Sequence, residues 1–165
     1  MSTMNVLICQ QPKELVWKQR EIPIPGDNEA LIKIKSVGIC GTDIHAWGGN
    51  QPFFSYPRVL GHEICGEIVG LGKNIANLKN GQQVAVIPYV ACQQCPACKS
   101  GRTNCCEKIS VIGVHQDGGF SEYLSVPVAN ILPADGIDPQ AAALIEPFAI
   151  SAVSYTHLTL PTKRI

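Results

Sequence analysis

Hydrophobic and polar positions along the first two-thirds of the chain fall into short blocks divided by turn-forming residues. Residues 5–9 form a compact apolar run. Residues 31–37 partly alternate, with Lys33 and Lys35 on one face and Ile32 and Ile34 on the other, the period of a half-buried strand. Stretches 63–71 and 83–87 are rich in β-branched residues and bounded by glycines. Residues 119–126 close this series, and 130–132 add a further short strand. Only 138–150 carries a helical pattern, with Asp138 as N-cap and Pro139 as the first helical residue. Pro147 is expected to kink or break that helix. The pattern predicts a mainly β domain, a compact barrel or sandwich with a short C-terminal helix.

Composition narrows the picture. A length of 165 residues is one domain of ordinary size, and 15 glycines with 12 prolines are spread through it as punctuation. Thirteen basic and 13 acidic side chains balance, which excludes the basic footprint of a nucleic-acid binder. No apolar run reaches the ~18–20 residues of a membrane span. Met1-Ser2-Thr3-Met4-Asn5 lacks the basic flank and long apolar stretch of a secretory signal. The expectation is a soluble, cytoplasmic chain with no nucleic-acid and no membrane partner. There are no internal repeats and no low-complexity linker. Residues 153–165 (VSYTHLTLPTKRI) stand apart, without a periodic apolar face, and resemble translated transposase-adapter sequence. Without this non-native tail, residues 1–152 hold 11 basic against 13 acidic side chains and are slightly acidic.

Eight cysteines, at 9, 40, 65, 92, 95, 98, 105 and 106, carry the chemistry. In a reducing compartment a tight cysteine cluster points to metal rather than disulfides. Cys92, Cys95 and Cys98 follow at three-residue spacing, with Cys105 and Cys106 a little further on. Four thiolates satisfy a tetrahedral zinc at ~2.3 Å and leave no open position, so such a site is structural. Polar, Gly- and Pro-containing sequence around the cluster has little core of its own, and metal binding of order 10 kcal/mol would hold the lobe, about residues 90–108, together. A disulfide-linked or iron–sulfur loop is the alternative. Chemistry alone does not choose between Cys105 and Cys106 as fourth ligand.

A second constellation is more dispersed. Gly38-Ile39-Cys40-Gly41-Thr42-Asp43-Ile44-His45 is followed by Gly61-His62-Glu63-Ile64-Cys65-Gly66. Cysteine, histidine and glutamate are ligands of catalytic zinc when one position stays open for water or substrate. Cys9 and Cys65 read as core residues and His115 as a hydrogen-bonded structural histidine.

The Gly61-His62-Glu63-x-x-Gly66 run, the Cys40–His45 segment, the four-cysteine lobe and Gly118-Gly119-Phe120-Ser121-Glu122-Tyr123 together resemble, in order and across residues 1–152, the medium-chain zinc-dependent alcohol dehydrogenases. Within that family the chain is most similar to the polyol and sugar-acid branch. The resemblance implies a GroES-like, partly open β-barrel and two zinc ions. Cys40 and His62 would bind the catalytic zinc, and Glu63 would be a direct or alternating ligand. Glu146 would reach the metal directly or through water. Cys92, Cys95, Cys98 and Cys106 would bind the structural zinc. Thr42 would accept the substrate's hydroxyl hydrogen bond, His45 would end a proton relay, and Asp43 would orient His62. One departure is Ala46, where polyol members often carry an aromatic directly after the relay histidine. The implied reaction oxidises a secondary alcohol of a polyol or hexonate to a ketone, with hydride passing to NAD(P), in a homo-oligomeric full-length enzyme.

No dinucleotide-binding Rossmann domain is legible. Gly70-Leu71-Gly72 follows a strand but lacks the third glycine and opens no helical pattern, so it reads as a turn. The expectation is therefore the catalytic half of an enzyme roughly twice as long, inactive alone. The competing hypothesis is a stand-alone zinc-binding GroES-like domain with a structural or binding role. A zinc-free quinone reductase relative is disfavoured, since it needs neither the lobe nor Cys40 with His62.

Overall fold

The computed structural model describes residues 2–52 and 54–157. Strand β1 (Thr3–Gln11) turns through Lys13, at φ 66°, into β2 (Glu14–Glu21). The alternation in β1 buries Met4, Val6 and Ile8. By contrast, β2 is exposed along most of its length, which is why its hydrophobic pattern gives no strand signal. Strand β3 (Glu29–Gly38) then leads through Cys40 into helix α1 (Gly41–Gly48). After it come β4 (Arg58–Val59), β5 (Glu63–Leu71), β6 (Gln83–Val86) and β7 (Tyr89–Val90). The lobe contains the short helix α2 (Pro96–Lys99) and one 3-10 turn (Thr103–Cys105), and ends at β8 (Ser110–Val111). The chain continues with β9 (Tyr123–Pro127), β10 (Ile131–Pro133), α3 (Pro139–Ala143) and α4 (Ile145–His157).

Among the described residues three antiparallel sheets result, in the orders β2-β1-β4, β10-β6-β5-β3-β9 and β7-β8. The first two are stitched where Leu7 N–H donates to Phe120 O at 2.8 Å and Glu122 N–H to Asn5 O at 3.2 Å, and they do not close into a complete barrel. Residues 119–122, expected to be strand, serve as this junction, and the strand proper starts at Tyr123. Ile32, Ile64, Ile68, Val84 and Val126 fill the main core. Lys33 and Lys35 face solvent as their alternation predicts, and Lys35 pairs with Glu67 across β3–β5 at 2.9 Å.

The C-terminal helical segment is two helices. Asp138 caps α3 by accepting from Gln140 N–H at 2.9 Å and Ala141 N–H at 3.2 Å. The break falls at Leu144, and Pro147 sits in the first turn of α4, where its missing N–H costs no hydrogen bond. Helix α4 runs to His157, across the expected start of the tail at 153; residues 158–165 of that tail lie outside the described residues. Gly72 N–H donates to Glu29 O at 2.8 Å, so Gly70-Leu71-Gly72 is the strand-end turn it was expected to be. No doubly wound sheet occurs among the described residues.

Candidate metal centres

Both constellations assemble. The ligand atoms of Cys92, Cys95, Cys98 and Cys106 all lie within 4.8 Å of one another. None of the eight cysteines is disulfide-bonded, and Cys92 Sγ and Cys98 Sγ stand 4.0 Å apart, twice a disulfide bond length. Cys106 is drawn inward and accepts from Cys92 N–H at 3.3 Å and Lys108 N–H at 3.4 Å. Cys105 points to solvent and meets only Asn104 Nδ2 at 3.6 Å. Local geometry thus groups Cys106, not Cys105, with the other three. Backbone N–H groups of Gln94 and Cys95 pull the Cys92 thiol down to about pKa 6, favouring thiolate. Burial pushes Cys98 up to about 12, and hydrogen bonds from its cysteine neighbours act the same way. Four convergent sulfurs make this a cluster that can hold a structural zinc.

The second group is Cys40, His62 and Glu63, whose ligand atoms also lie within 4.8 Å of one another. Sheet register explains the meeting. Gly38 pairs with Glu63 at the last rung of β3–β5, which sets Cys40 just beyond one strand end and His62 just before the other. Gly38 is required there, because any Cβ would overlap the Glu63 carboxylate. Gly61 adopts φ +90° and packs under the Phe120 ring, a position closed to a side chain.

Asp43 ties the two segments together. Its Oδ2 accepts from Cys40 N–H at 2.9 Å, and its Oδ1 accepts from Gly61 N–H at 3.0 Å. The same Oδ1 stands 3.9 Å from His62 Nδ1. That nitrogen is buried and has no hydrogen-bond partner. A closure of about 1 Å would make the carboxylate–imidazole contact that holds a metal-bound histidine in one tautomer. Thiol, imidazole and carboxylate at this separation, with an orphaned imidazole nitrogen facing an acid, fit a zinc ion with an open position.

Thr42 is half-buried, with Oγ1 3.8 Å from Cys40 Sγ, while His45 is exposed on α1. Glu146 is not part of the three-residue group: its Oε1 accepts from Tyr89 Oη–H at 2.5 Å. Burial, this hydrogen bond, the Glu146 charge and the nearby Cys40 all push the Tyr89 phenol upward, so it stays protonated. Tyr89 was not singled out in the sequence. An aromatic at a strand end carries no chemical signal until folding brings a carboxylate from 57 residues away. His115 is structural, its Nδ1 accepting from Val111 N–H at 3.0 Å, and Cys9 and Cys65 are fully buried core residues.

Residues 26–136 match the alcohol dehydrogenase GroES-like domain. The chain belongs to this family. L-galactonate-5-dehydrogenase of Escherichia coli K12 is 99% identical over 152 residues, covering 92% of this chain and 45% of that protein. A zinc-type alcohol dehydrogenase-like protein of Haemophilus influenzae is 42% identical over 160 residues, 95% of this chain and 46% of its own length. Among solved structures, the RspB alcohol dehydrogenase of E. coli CFT073, in complex with NADH, superposes with a TM-score of 0.88 at 40% identity, covering 95% of this chain and 46% of that one. The chain thus spans under half the length of these relatives. No helix among the described residues is long and apolar enough to cross a membrane.

Proposed function

We propose that this chain is the metal-holding catalytic part of a zinc-dependent dehydrogenase that oxidises a secondary alcohol of a polyol or hexonate, L-galactonate foremost, to a ketone with reduction of NAD(P). One observation carries the reading. The ligand atoms of Cys40, His62 and Glu63 converge within 4.8 Å of one another, while the buried, unpartnered Nδ1 of His62 faces the Asp43 carboxylate. The substrate rests on the 99% identity to L-galactonate-5-dehydrogenase, and the cofactor class on the NADH held by the RspB relative.

In this reading Cys40, His62 and Glu63 bind the catalytic zinc, with Glu146 as the accessory carboxylate. Cys92, Cys95, Cys98 and Cys106 bind the structural one. Zinc in the first site supplies Lewis acidity, which makes a hydroxyl group ionise near neutral pH. Thr42, beside the Cys40 sulfur, takes the substrate hydroxyl's hydrogen bond, and His45, exposed on the same helix, passes the proton to solvent. Asp43 orients His62. Residues 1–152 form the GroES-like catalytic domain and 153–165 a tail foreign to it; the identity to the E. coli enzyme also spans 152 residues. The partner is a small molecule, and the full-length enzyme is a homo-oligomer.

Elemental analysis of the purified chain should find two zinc ions, one lost in Cys40→Ser and the other in Cys98→Ser. With cadmium in place of zinc, L-galactonate should shift the NMR resonance of the low-sulfur site and leave the four-sulfur resonance in place. Two bound metals with no response to L-galactonate or related polyols would return the chain to a purely structural zinc domain.

A further inference from the structure

Tyr89 is more firmly placed than its position at the edge of a two-residue strand requires. Its backbone pairs with Val111 across β7–β8. Asn130, 7% exposed, donates through Nδ2 to Ile87 O at 2.8 Å and Tyr89 O at 3.0 Å. Ile87 N–H returns a bond to Asn130 O at 2.8 Å, and Pro88 between them is fully buried. A buried amide thus clamps the turn that aims the phenol. At the far end of that phenol lies Glu146 Oε1, at 2.5 Å, on the first turn of α4. Cys40, His62 and Glu63 form their group without it.

We propose that Tyr89 is a positioning residue that holds the Glu146 carboxylate beside the catalytic metal centre and off the metal, leaving Cys40, His62 and Glu63 as the resting ligand set. The proposal rests on the zinc-site reading above and deepens it. Glu63 belongs to the ligand group, Glu146 is hydrogen-bonded to a phenol close enough to Cys40 to feel its charge, and a metal with both carboxylates bound would have lost its open site. The phenol occupies one Glu146 oxygen with a strong charge-assisted hydrogen bond, which the carboxylate must give up before it can turn to the metal. Asn130 holds the backbone from which the phenol projects, so the fold fixes where the restraint starts.

Cadmium NMR of the two-metal chain separates the possibilities, because one-sulfur and four-sulfur sites resonate far apart. Glu146→Gln is expected to leave the one-sulfur resonance in place, since Glu146 is not a ligand. Tyr89→Phe is expected to shift it, and Tyr89→Phe with Glu146→Gln to restore it. In chelator competition Tyr89→Phe should bind zinc about tenfold more tightly, the scale on which residues orienting metal ligands act. A shift in Glu146→Gln alone, or none in Tyr89→Phe, overturns the proposal. Cys40→Ser tells the two failures apart: it should erase the one-sulfur resonance alone, and if both resonances survive, the metal-site reading falls and takes this proposal with it.

Discussion

Asp43 does three things with two oxygens. It caps α1 through Cys40 N–H, anchors Gly61 N–H, and faces the unpartnered nitrogen of His62. Because it is buried, replacing it by alanine strands two backbone donors away from water. Each such donor costs about 1–3 kcal/mol. Asp43→Ala should therefore lower the stability of the metal-free chain by about 2–6 kcal/mol in urea unfolding, with or without zinc chemistry. A loss below about 0.5 kcal/mol would show that water replaces the carboxylate. The residue types at this site were legible from sequence, since thiol, imidazole and carboxylate announce a metal by their chemistry. Their relation to Tyr89 was not. A phenol gains meaning only from what a distant helix places against it.

At the scale of elements, the lobe between β7 and β8 stands apart from the sheets. Its buried side chains are chiefly its own cysteines, with Ala91, Ala97 and Ile109 packed around them. Cys92 titrates at about 6 against an ordinary 9.0, so without metal its contribution to stability is complete above pH 9, shrinks on acidification and is lost below 6. Cys98 is shifted the other way, to about 12, and weakens the lobe as pH climbs beyond 9. Limited proteolysis of the zinc-free chain should thus cut the lobe least near pH 9 and faster on either side, while the zinc-loaded lobe resists throughout. Equal cleavage at pH 6 and 9 would contradict the thiolate assignment. The lobe's limits were readable because cysteine spacing is a local signal. So were β3, β5 and β6, whose buried faces are apolar. Strand β2 was hidden, since it is held by backbone pairing to β1 while most of its side chains meet solvent. The split between α3 and α4 was half visible: Pro147 announced a break, but the chain makes it three residues earlier so that the proline falls in a first turn.

At the scale of the whole molecule, the largest buried apolar cluster is built on the five-stranded sheet. Ile68 in β5 is fully buried among Ile32, Ile64, Val84 and Val126. Ile68→Ala should cost about 2–5 kcal/mol of unfolding free energy and lower both sheets' melting together. Circular dichroism and aromatic fluorescence should report one coincident transition; separate transitions would mean that the β2-β1-β4 sheet folds on its own. The architecture class was legible from strand spacing and turn chemistry. How the sheets join at residues 119–122 was not, because a junction made of backbone hydrogen bonds leaves no periodic mark on side chains.

Cys40, His62 and Glu63 hang from the final rung of one ladder, where Gly38 meets Glu63. Sheet ends loosen far more readily than sheet middles. Residues at this margin share that give: the outermost pairing is expected to exchange its amide hydrogens faster than Ile32 and Ile68 deeper along the same strands, and a metal held by Cys40, His62 and Glu63 would sit on that looser end. A metal that needs one vacant place would thereby be seated where the scaffold yields first.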